Sequence, residues 1–134
     1  MNKIEHIGIA VKNLEESKKL FSALLNTQPY KEEIVDNEGV RTLFFQIGET
    51  KIELLEATNP ESPIAKFIEK KGEGIHHIAF DVDDVNQSLS RLENENFQLI
   101  HQKAKNGADN KEIAFLHPKS TNGVLVELCQ DKKS

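Results

Sequence analysis

The feature that most constrains the fold of this chain is an internal repeat of two short segments. Residues 6–11, HIGIAV, recur as residues 77–82, HIAFDV, and residues 51–55, KIELL, recur as residues 125–129, LVELC. Each copy has a histidine in its first segment and a glutamate in its second, 47 residues apart in one half and 50 in the other. Such a repeat predicts two modules of similar fold, each too small to bury its hydrophobic face alone.

Hydrophobic periodicity predicts the same order of strands and helix in both halves. The predicted elements are strand 4–11, helix 13–26 and strands 28–36, 40–47 and 51–57, then strand 75–82, helix 84–95 and strands 97–103, 112–117 and 123–130. Asn13 is a suitable N-cap for the first helix. A Pro-rich segment followed by a short apolar pattern predicts one further helix between the halves.

The predicted fold class is α+β, with two tandem βαβββ modules. The modules cover about residues 1–58 and 75–131, and a helical linker at about 59–74 joins them in a single domain of 134 residues. Pairing the modules is expected to bury both sheets and to curve a mixed sheet around a cleft, whose walls are the inward-pointing strand residues.

Four residues of the repeat, His6, Glu53, His77 and Glu127, are the candidate ligands of a divalent metal ion. A single strand histidine or glutamate is more often structural, but the recurrence of both in each half favours a shared site. Imidazole nitrogen and carboxylate oxygen suit divalent ions such as Co²⁺, Mn²⁺, Ni²⁺, Zn²⁺ and Mg²⁺, and the pattern does not select among them. Four ligands leave positions open for substrate oxygens on a six-coordinate ion.

The remaining residues with ligand chemistry are expected to be structural. His76 neighbours His77 and should point to the other face of its strand, where packing is its expected role. His101 is expected on the surface, and Cys129 is expected to be a small buried thiol.

Composition and charge favour a small-molecule partner. The net charge is −5 and no dense basic run is present, which argues against nucleic acid. No apolar stretch approaches the roughly 18 residues of a membrane span, so none is expected. A lone cysteine and the absence of a signal-like segment at the start favour a cytoplasmic location.

Several motifs resemble the vicinal-oxygen-chelate superfamily, which includes glyoxalases, bleomycin resistance proteins and dioxygenases. They are HIGIAV at 6–11, HHIAFDVDD at 76–84, IELLE at 52–56 and VLVEL at 124–128. Within it, the chain resembles the methylmalonyl-CoA epimerases through SPIAKF at 62–67, GEGIHHIAF at 72–80 and FLHPKS at 115–120. The resemblance covers nearly the whole chain. It implies interconversion of (2R)- and (2S)-methylmalonyl-CoA by proton abstraction at carbon 2, through a metal-stabilised enolate.

The resemblance also implies roles for individual residues. His6, His77 and Glu127 match the metal ligands of the family, and Glu53 falls where some members have glutamine. Some epimerases carry a glutamate on the third strand, near what is Thr42 in this sequence.

The resemblance leaves the acid–base pair and the substrate contacts as expectations. Glu127 is one acid–base candidate and Glu53 the other. Lys119, His117 and Thr42 are the expected substrate contacts. The partners implied are an acyl-CoA substrate and a second copy of the chain in a homodimer.

Two alternative functions stay open at this point. A carboxylate at Glu53 brings the ligand set close to that of glyoxalase I, which acts on a thiol adduct of a 2-oxoaldehyde. A third interpretation is a metal-free protein that sequesters a small molecule in the same cleft, as resistance proteins of the superfamily do.

Overall fold

The computed structural model describes residues Met1–Lys132, which contain eight strands and three α-helices. In chain order they are β1 Lys3–Ala10, α1 Leu14–Leu25, β2 Lys31–Val35, β3 Val40–Ile47, β4 Thr50–Ala57, α2 Pro63–Lys71, β5 Gly74–Asp81, α3 Val85–Asn94, β6 Lys105–Asn106, β7 Lys111–Leu116 and β8 Val126–Asp131. The predicted βαβββ order is therefore confirmed in both halves. None of the helices described is both long and apolar enough to cross a bilayer.

The chain forms two compact units, one of which is His6–His76. Within this unit β1 pairs in parallel with β4, while β3 pairs antiparallel with both β4 and β2. Helix α1 begins after Asn13, whose side chain accepts a hydrogen bond from the backbone N–H of Glu16. This bond satisfies one of the N–H groups that have no partner within the helix, as predicted for an N-cap.

The two helices of this unit pack on opposite faces of its strands. Helix α1 packs its Leu14 with a cluster of buried residues: Val11, Leu43, Phe45 and Leu54. Helix α2 packs Ile64 and Phe67 against Ala10, Val40 and Leu55. Because side chains alternate along a strand, Ala10 and Leu55 share a face with His6 and Glu53. Helix α2 therefore lies on the face of the sheet that carries the candidate ligands.

The other unit comprises Met1–Glu5 and the chain from His77 onward. Here β8 pairs in parallel with β5 and antiparallel with β7, and β7 pairs antiparallel with β6. Helix α3 buries three residues, Val85, Leu89 and Leu92, in a cluster that includes Ala114 and Leu128. The pattern of parallel and antiparallel pairs is the same as in the first unit.

The prediction of a strand over residues 97–103 is wrong. This segment makes only an isolated bridge between Leu99 and Leu116, and the two-residue strand β6 pairs with β7 further along the chain. The backbone N–H groups of Ile100 and His101 both donate to the carbonyl oxygen of Phe115. Two residues that share one carbonyl cannot continue a regular ladder, which distributes its bonds one by one along the partner strand.

The structure locates the insertion that makes the second half longer. Phe44 lies opposite Glu53 in its strand pair, and Phe115 lies opposite Glu127 in the equivalent pair. The two phenylalanines are 71 residues apart, as are His6 and His77, but the two glutamates are 74 apart. The three additional residues therefore lie in the β7–β8 connection, residues 117–125.

Candidate functional site

The first module brings His6 of β1 next to Glu53 of β4. Glu53 is paired with Gly8 across the parallel strands, so His6 is its diagonal neighbour on the same face. The Nδ1 atom of His6 lies 3.1 Å from the Oε2 atom of Glu53. Both residues are buried.

The second module repeats this arrangement with His77 of β5 and Glu127 of β8. Glu127 is paired with Ala79, which is two residues after His77, as Gly8 is two residues after His6. The Nε2 atom of His77 lies 3.0 Å from the Oε1 atom of Glu127, and both residues are buried. The two modules thus present the same pair of groups at the same strand register, beside a small residue.

These pairs have the chemistry of metal ligands. A buried carboxylate is costly unless a charge or a hydrogen-bond donor compensates it, and each glutamate has an imidazole within hydrogen-bonding distance. The same oxygen and nitrogen donors suit a divalent first-row ion. The donor atoms of each pair, taken by itself, therefore fit a metal of this class.

Phe115 is a site residue that the sequence analysis missed. Its ring makes an edge-to-face contact with the ring of His77, with centroids 5.7 Å apart and planes at 82°. It also lies opposite Glu127 in the strand pair, so it touches one member of the second pair and neighbours the other. The signal was available in the sequence, because Phe44 and Phe115 share the 71-residue spacing of the two histidines.

The expectation that His101 is a surface residue is corrected by its contacts. Its Nδ1 atom accepts a hydrogen bond from the backbone N–H of Phe115, at 3.0 Å. The rings of His101 and Phe115 also pack with centroids 5.8 Å apart. His101 therefore supports the strand that carries Phe115.

Thr42 is buried in β3, opposite Leu55 of β4. It lies two residues from Phe44 and therefore faces the same side of the sheet as Glu53. Its equivalent in the second module is Ile113, which lies opposite Cys129. A hydroxyl at this position can form hydrogen bonds, but it cannot act as a carboxylate base.

His117 and Lys119 lie in the β7–β8 connection. The Nδ1 atom of His117 accepts a hydrogen bond from the backbone N–H of Lys119, at 3.1 Å, and so caps the short 3₁₀ helix Pro118–Ser120. This bond fixes the ring of His117 relative to the turn. Lys119 is exposed.

Cys129 is completely buried, as predicted. Burial raises the pKa of its thiol, and the neighbouring carboxylates of Glu127 and Glu5 raise it further. The Sγ atom lies 3.6 Å from the carbonyl oxygen of Phe80, to which the neutral thiol donates. Metals bind the thiolate, and these effects favour the neutral thiol.

The other structural expectation, for His76, also holds. Its ring packs edge-to-face on Phe67, with centroids 5.0 Å apart.

Comparison with known proteins identifies a matching family. The model of the Glyoxalase/Bleomycin resistance protein/Dioxygenase superfamily matches residues 5–115. An uncharacterised protein of Bacillus subtilis, YqjC, is 42% identical over 132 residues, covering 98% of this chain and 94% of that protein. The mitochondrial methylmalonyl-CoA epimerase of Dictyostelium discoideum is 41% identical over 129 residues, covering 96% of this chain and 78% of that protein.

A solved structure gives the same result for the fold. A variant of the Streptomyces coelicolor methylmalonyl-CoA epimerase, in complex with 2-nitronate-propionyl-CoA, superimposes with a TM-score of 0.94 at 31% identity. The alignment covers 98% of this chain and 95% of that chain. The glyoxalase-like fold expected from the sequence is thereby confirmed.

Proposed function

This chain belongs to the glyoxalase/bleomycin resistance/dioxygenase superfamily, and we propose from that membership that it is a methylmalonyl-CoA epimerase. The observation that carries the proposal is the buried histidine–glutamate pair in each module. It occurs in a chain that is similar over nearly its whole length to enzymes with this activity.

The chemistry of the substrate explains the need for two carboxylates. Carbon 2 of methylmalonyl-CoA lies between a thioester and a carboxylate, so the charge left by its proton spreads onto their oxygens. Inversion requires that a proton leaves one side of carbon 2 and returns from the other. We assign these acid–base roles to Glu53 and Glu127, which are the equivalent carboxylates of the two modules.

We propose His6, Glu53, His77 and Glu127 as the ligands of a divalent metal ion, of which Co²⁺, Mn²⁺, Ni²⁺, Zn²⁺ and Mg²⁺ are the candidates. When bound, the ion would act as a Lewis acid on the thioester and carboxylate oxygens. Burial of the histidine–glutamate pairs supports the assignment, because it keeps water from competing for the donors. The two histidines also orient the carboxylates, which they contact at 3.0 and 3.1 Å.

Three residues are proposed to contact the substrate. Lys119 supplies a positive charge for the substrate's carboxylate, and His117 fixes the turn from which Lys119 extends. Thr42 offers a hydroxyl on the face that carries Glu53.

The first test is exchange of the carbon-2 proton of methylmalonyl-CoA with deuterium from the solvent. We expect exchange in the presence of a divalent metal and its loss after treatment with a chelator. Replacing Glu127 with glutamine should lower the rate of exchange from one of the two epimers by about 10²-fold to 10⁴-fold, because general acid–base catalysis contributes about that much. Glu93→Gln, on the exposed side of α3, is the matched control and should exchange normally. Metal-replete protein that exchanges no proton would refute the assignment.

A glyoxalase-type lyase is the second candidate, and the carboxylate of Glu53 favours it. The same protein preparations should therefore be assayed with the hemithioacetal of methylglyoxal and a thiol. Turnover of that adduct far above the exchange rate of methylmalonyl-CoA would replace the epimerase proposal. Metal analysis of the purified protein distinguishes the two enzyme hypotheses from the third interpretation, a metal-free binding protein. A stoichiometric divalent metal would argue against the metal-free protein.

We further propose that the protein acts in the cytoplasm as a homodimer. The proposal of a dimer derives from the resemblance to the epimerases, and that of the location from the lone cysteine. Sedimentation of the purified protein tests the first and fractionation of its host cell tests the second.

A further inference from the structure

We propose that Phe115 is a positioning residue that fixes the orientation of the His77 ring, and that His101 holds Phe115 in place. These three residues and Glu127 all lie in the unit that contains the chain from His77 onward. The inference rests on the proposed function, in which His77 is a metal ligand and Glu127 is an acid–base group. It assigns a role to two aromatic residues that take no part in the proposed chemistry themselves.

The orientation of a histidine ring matters because its nitrogen atoms donate to a metal in the plane of the ring. The torsion that rotates this plane has only a broad preference in histidine. The Nε2 atom of His77 contacts Glu127 at 3.0 Å, but Nε2 lies close to the axis of that rotation. This contact therefore restrains the ring plane only weakly, and a second contact is needed to fix the direction in which the nitrogen donates.

Phe115 supplies a second contact to the His77 ring. The two rings meet at 82° with their centroids 5.7 Å apart, which is the edge-to-face geometry that aromatic pairs favour. Rotation of the His77 ring about its torsion would change the angle between the planes and lose this geometry. Phe115 itself packs against three buried residues of the same unit: Ala79, Ile113 and Cys129. Its own ring is thus confined on the side of the sheet.

His101 holds both the backbone and the ring of Phe115. Its Nδ1 atom accepts a hydrogen bond from the backbone N–H of Phe115 at 3.0 Å, and the two rings pack with centroids 5.8 Å apart. The backbone N–H groups of Ile100 and His101 donate to the carbonyl oxygen of Phe115. Residues 100 and 101 therefore bond both polar groups of the Phe115 backbone.

Comparison of the two modules shows which part of this contact is specific to the second. Tyr30 stands 71 residues before His101, and its ring packs on Phe44, 71 residues before Phe115, with the same centroid separation of 5.8 Å. An aromatic ring at this position is therefore shared, but tyrosine has no ring nitrogen. In the first module the regular strand β2 runs beside Phe44. In the second, residues 97–103 make only an isolated bridge, and the imidazole of His101 bonds the N–H of Phe115.

The first test changes the ring of Phe115. Phe115→Leu keeps an apolar side chain but removes the ring, whereas Phe115→Tyr keeps the ring. The matched control is Phe97→Leu, because Phe97 is also partly buried but packs against the cluster that α3 buries. Urea unfolding followed by circular dichroism measures the loss of stability in each variant.

We expect Phe115→Leu to bind Co²⁺ about tenfold or more weakly than the unaltered protein in calorimetric titration. Groups that orient a metal-ligating histidine contribute about this much to affinity, and the visible absorption of the bound ion should shift as well. Phe115→Tyr and Phe97→Leu should retain both the affinity and the spectrum. Since Phe97→Leu also loses a packed ring, equal Co²⁺ affinities in Phe115→Leu and Phe97→Leu would overturn the inference.

The second test changes His101, and it requires neither a metal nor catalysis. His101→Leu removes the acceptor of the Phe115 N–H, whereas His101→Asn keeps an acceptor oxygen near the position of Nδ1. Both variants lack the imidazole ring, so they differ in whether Phe115 keeps its hydrogen bond. NMR of the metal-free protein follows the ring protons of His77, whose chemical shifts depend on the position of the Phe115 ring.

We expect the His77 resonances to shift in His101→Leu and to stay close to their original positions in His101→Asn. Unchanged resonances in His101→Leu, or equal shifts in the two variants, would contradict the inference even if methylmalonyl-CoA exchanges its proton normally. The expected difference would support it even if the unaltered protein binds no Co²⁺ and exchanges no proton, results that would refute the proposed function alone. This comparison also decides the matter if Phe115→Leu does not fold.

Discussion

At the residue scale, the most informative position is Glu53. It contacts His6 within its own module and has the same register as Glu127 in the other. Some epimerases have a glutamine at this position and a glutamate near Thr42. In this chain, position 53 on β4 and position 42 on β3 lie on the same face of two adjacent strands. If Glu53 is the second base, the two arrangements should be interchangeable.

We predict that Glu53→Gln lowers epimerisation by about 10²-fold or more, while one of the two epimers still exchanges its carbon-2 proton. The glutamine keeps an oxygen donor but cannot accept the proton. Adding Thr42→Glu should restore epimerisation, because diagonal neighbours on one face of a sheet are only about 7 to 8 Å apart. Chiral analysis of the product, with deuterium incorporation from each epimer, measures both effects.

The control for the Glu53→Gln, Thr42→Glu double variant is Thr42→Gln in the same Glu53→Gln background. This substitution adds a side chain of about the same size that cannot act as a base. Thermal melts show whether either double variant is still folded. Recovery by both double variants, or by neither folded variant, would contradict the role of Glu53 as a base.

The sequence was sufficient to place a histidine and a glutamate on one face of each module, because strand alternation and the repeat both constrain them. It was not sufficient for His101, whose role depends on the backbone of Phe115, a residue 14 positions away. A hydrogen bond to a main-chain group leaves no trace in the side-chain pattern.

At the element scale, each module fixes the start of its helix with a side chain from its last strand. In the first, the Oε2 atom of Glu56 accepts a hydrogen bond from the N–H of Leu14, the first residue of α1. In the second, the Oε1 atom of Gln130 accepts from the N–H of Val85, the first residue of α3. Both acceptors stand three residues after the candidate ligand of their strand. The start of the helix is thus tied to the strand that carries the ligand.

We predict that Gln130→Leu lowers the free energy of unfolding by about 1 to 3 kcal/mol, because the buried N–H of Val85 loses its acceptor. Gln130→Glu keeps an acceptor, and a carboxylate at a helix N-terminus is favourable, so its effect should be clearly smaller. Urea unfolding followed by circular dichroism measures both. Equal losses in the two variants would show that the bond to Val85 contributes nothing.

The predicted strands and helices agree with the structure where the local hydrophobic pattern matches the burial of the residues in the folded chain. The third strand of the first module, β3, was predicted with its observed bounds, since four consecutive residues, 42–45, are buried and three of them are apolar. The failure at residues 97–103 has a physical cause, because apolar alternation was present there but the pairing with Phe115 is irregular. Pairing is a property of two segments, and one segment does not reveal it.

At the scale of the whole molecule, the proposed metal would stabilise the folded chain. Its binding would depend on the proposed ligands of both modules. An ion that binds only the folded chain stabilises it by an amount that depends on its concentration relative to Kd, about 2.7 kcal/mol at a hundredfold excess. Because each module is proposed to supply half of the ligands, each should matter equally.

We predict that Co²⁺ or Mn²⁺ raises the Tm of metal-free protein, and that His6→Gln and His77→Gln each abolish most of this rise. Differential scanning calorimetry with and without metal measures it. His117→Gln, in the β7–β8 connection, serves as the control histidine and should retain the rise. A stabilisation that survives in either of the first two variants would remove that histidine from the ligand set.

The insertion in the β7–β8 connection has a consequence for stereochemistry. Two equivalent half-sites cannot by themselves distinguish the thioester end of a substrate from its carboxylate end, since each end would meet the same groups. The three additional residues, and the difference between Thr42 and Ile113, are two places where the modules are not equivalent. If the two modules share the proposed reactive groups, the direction in which an unsymmetrical substrate binds would depend on the residues that they do not share.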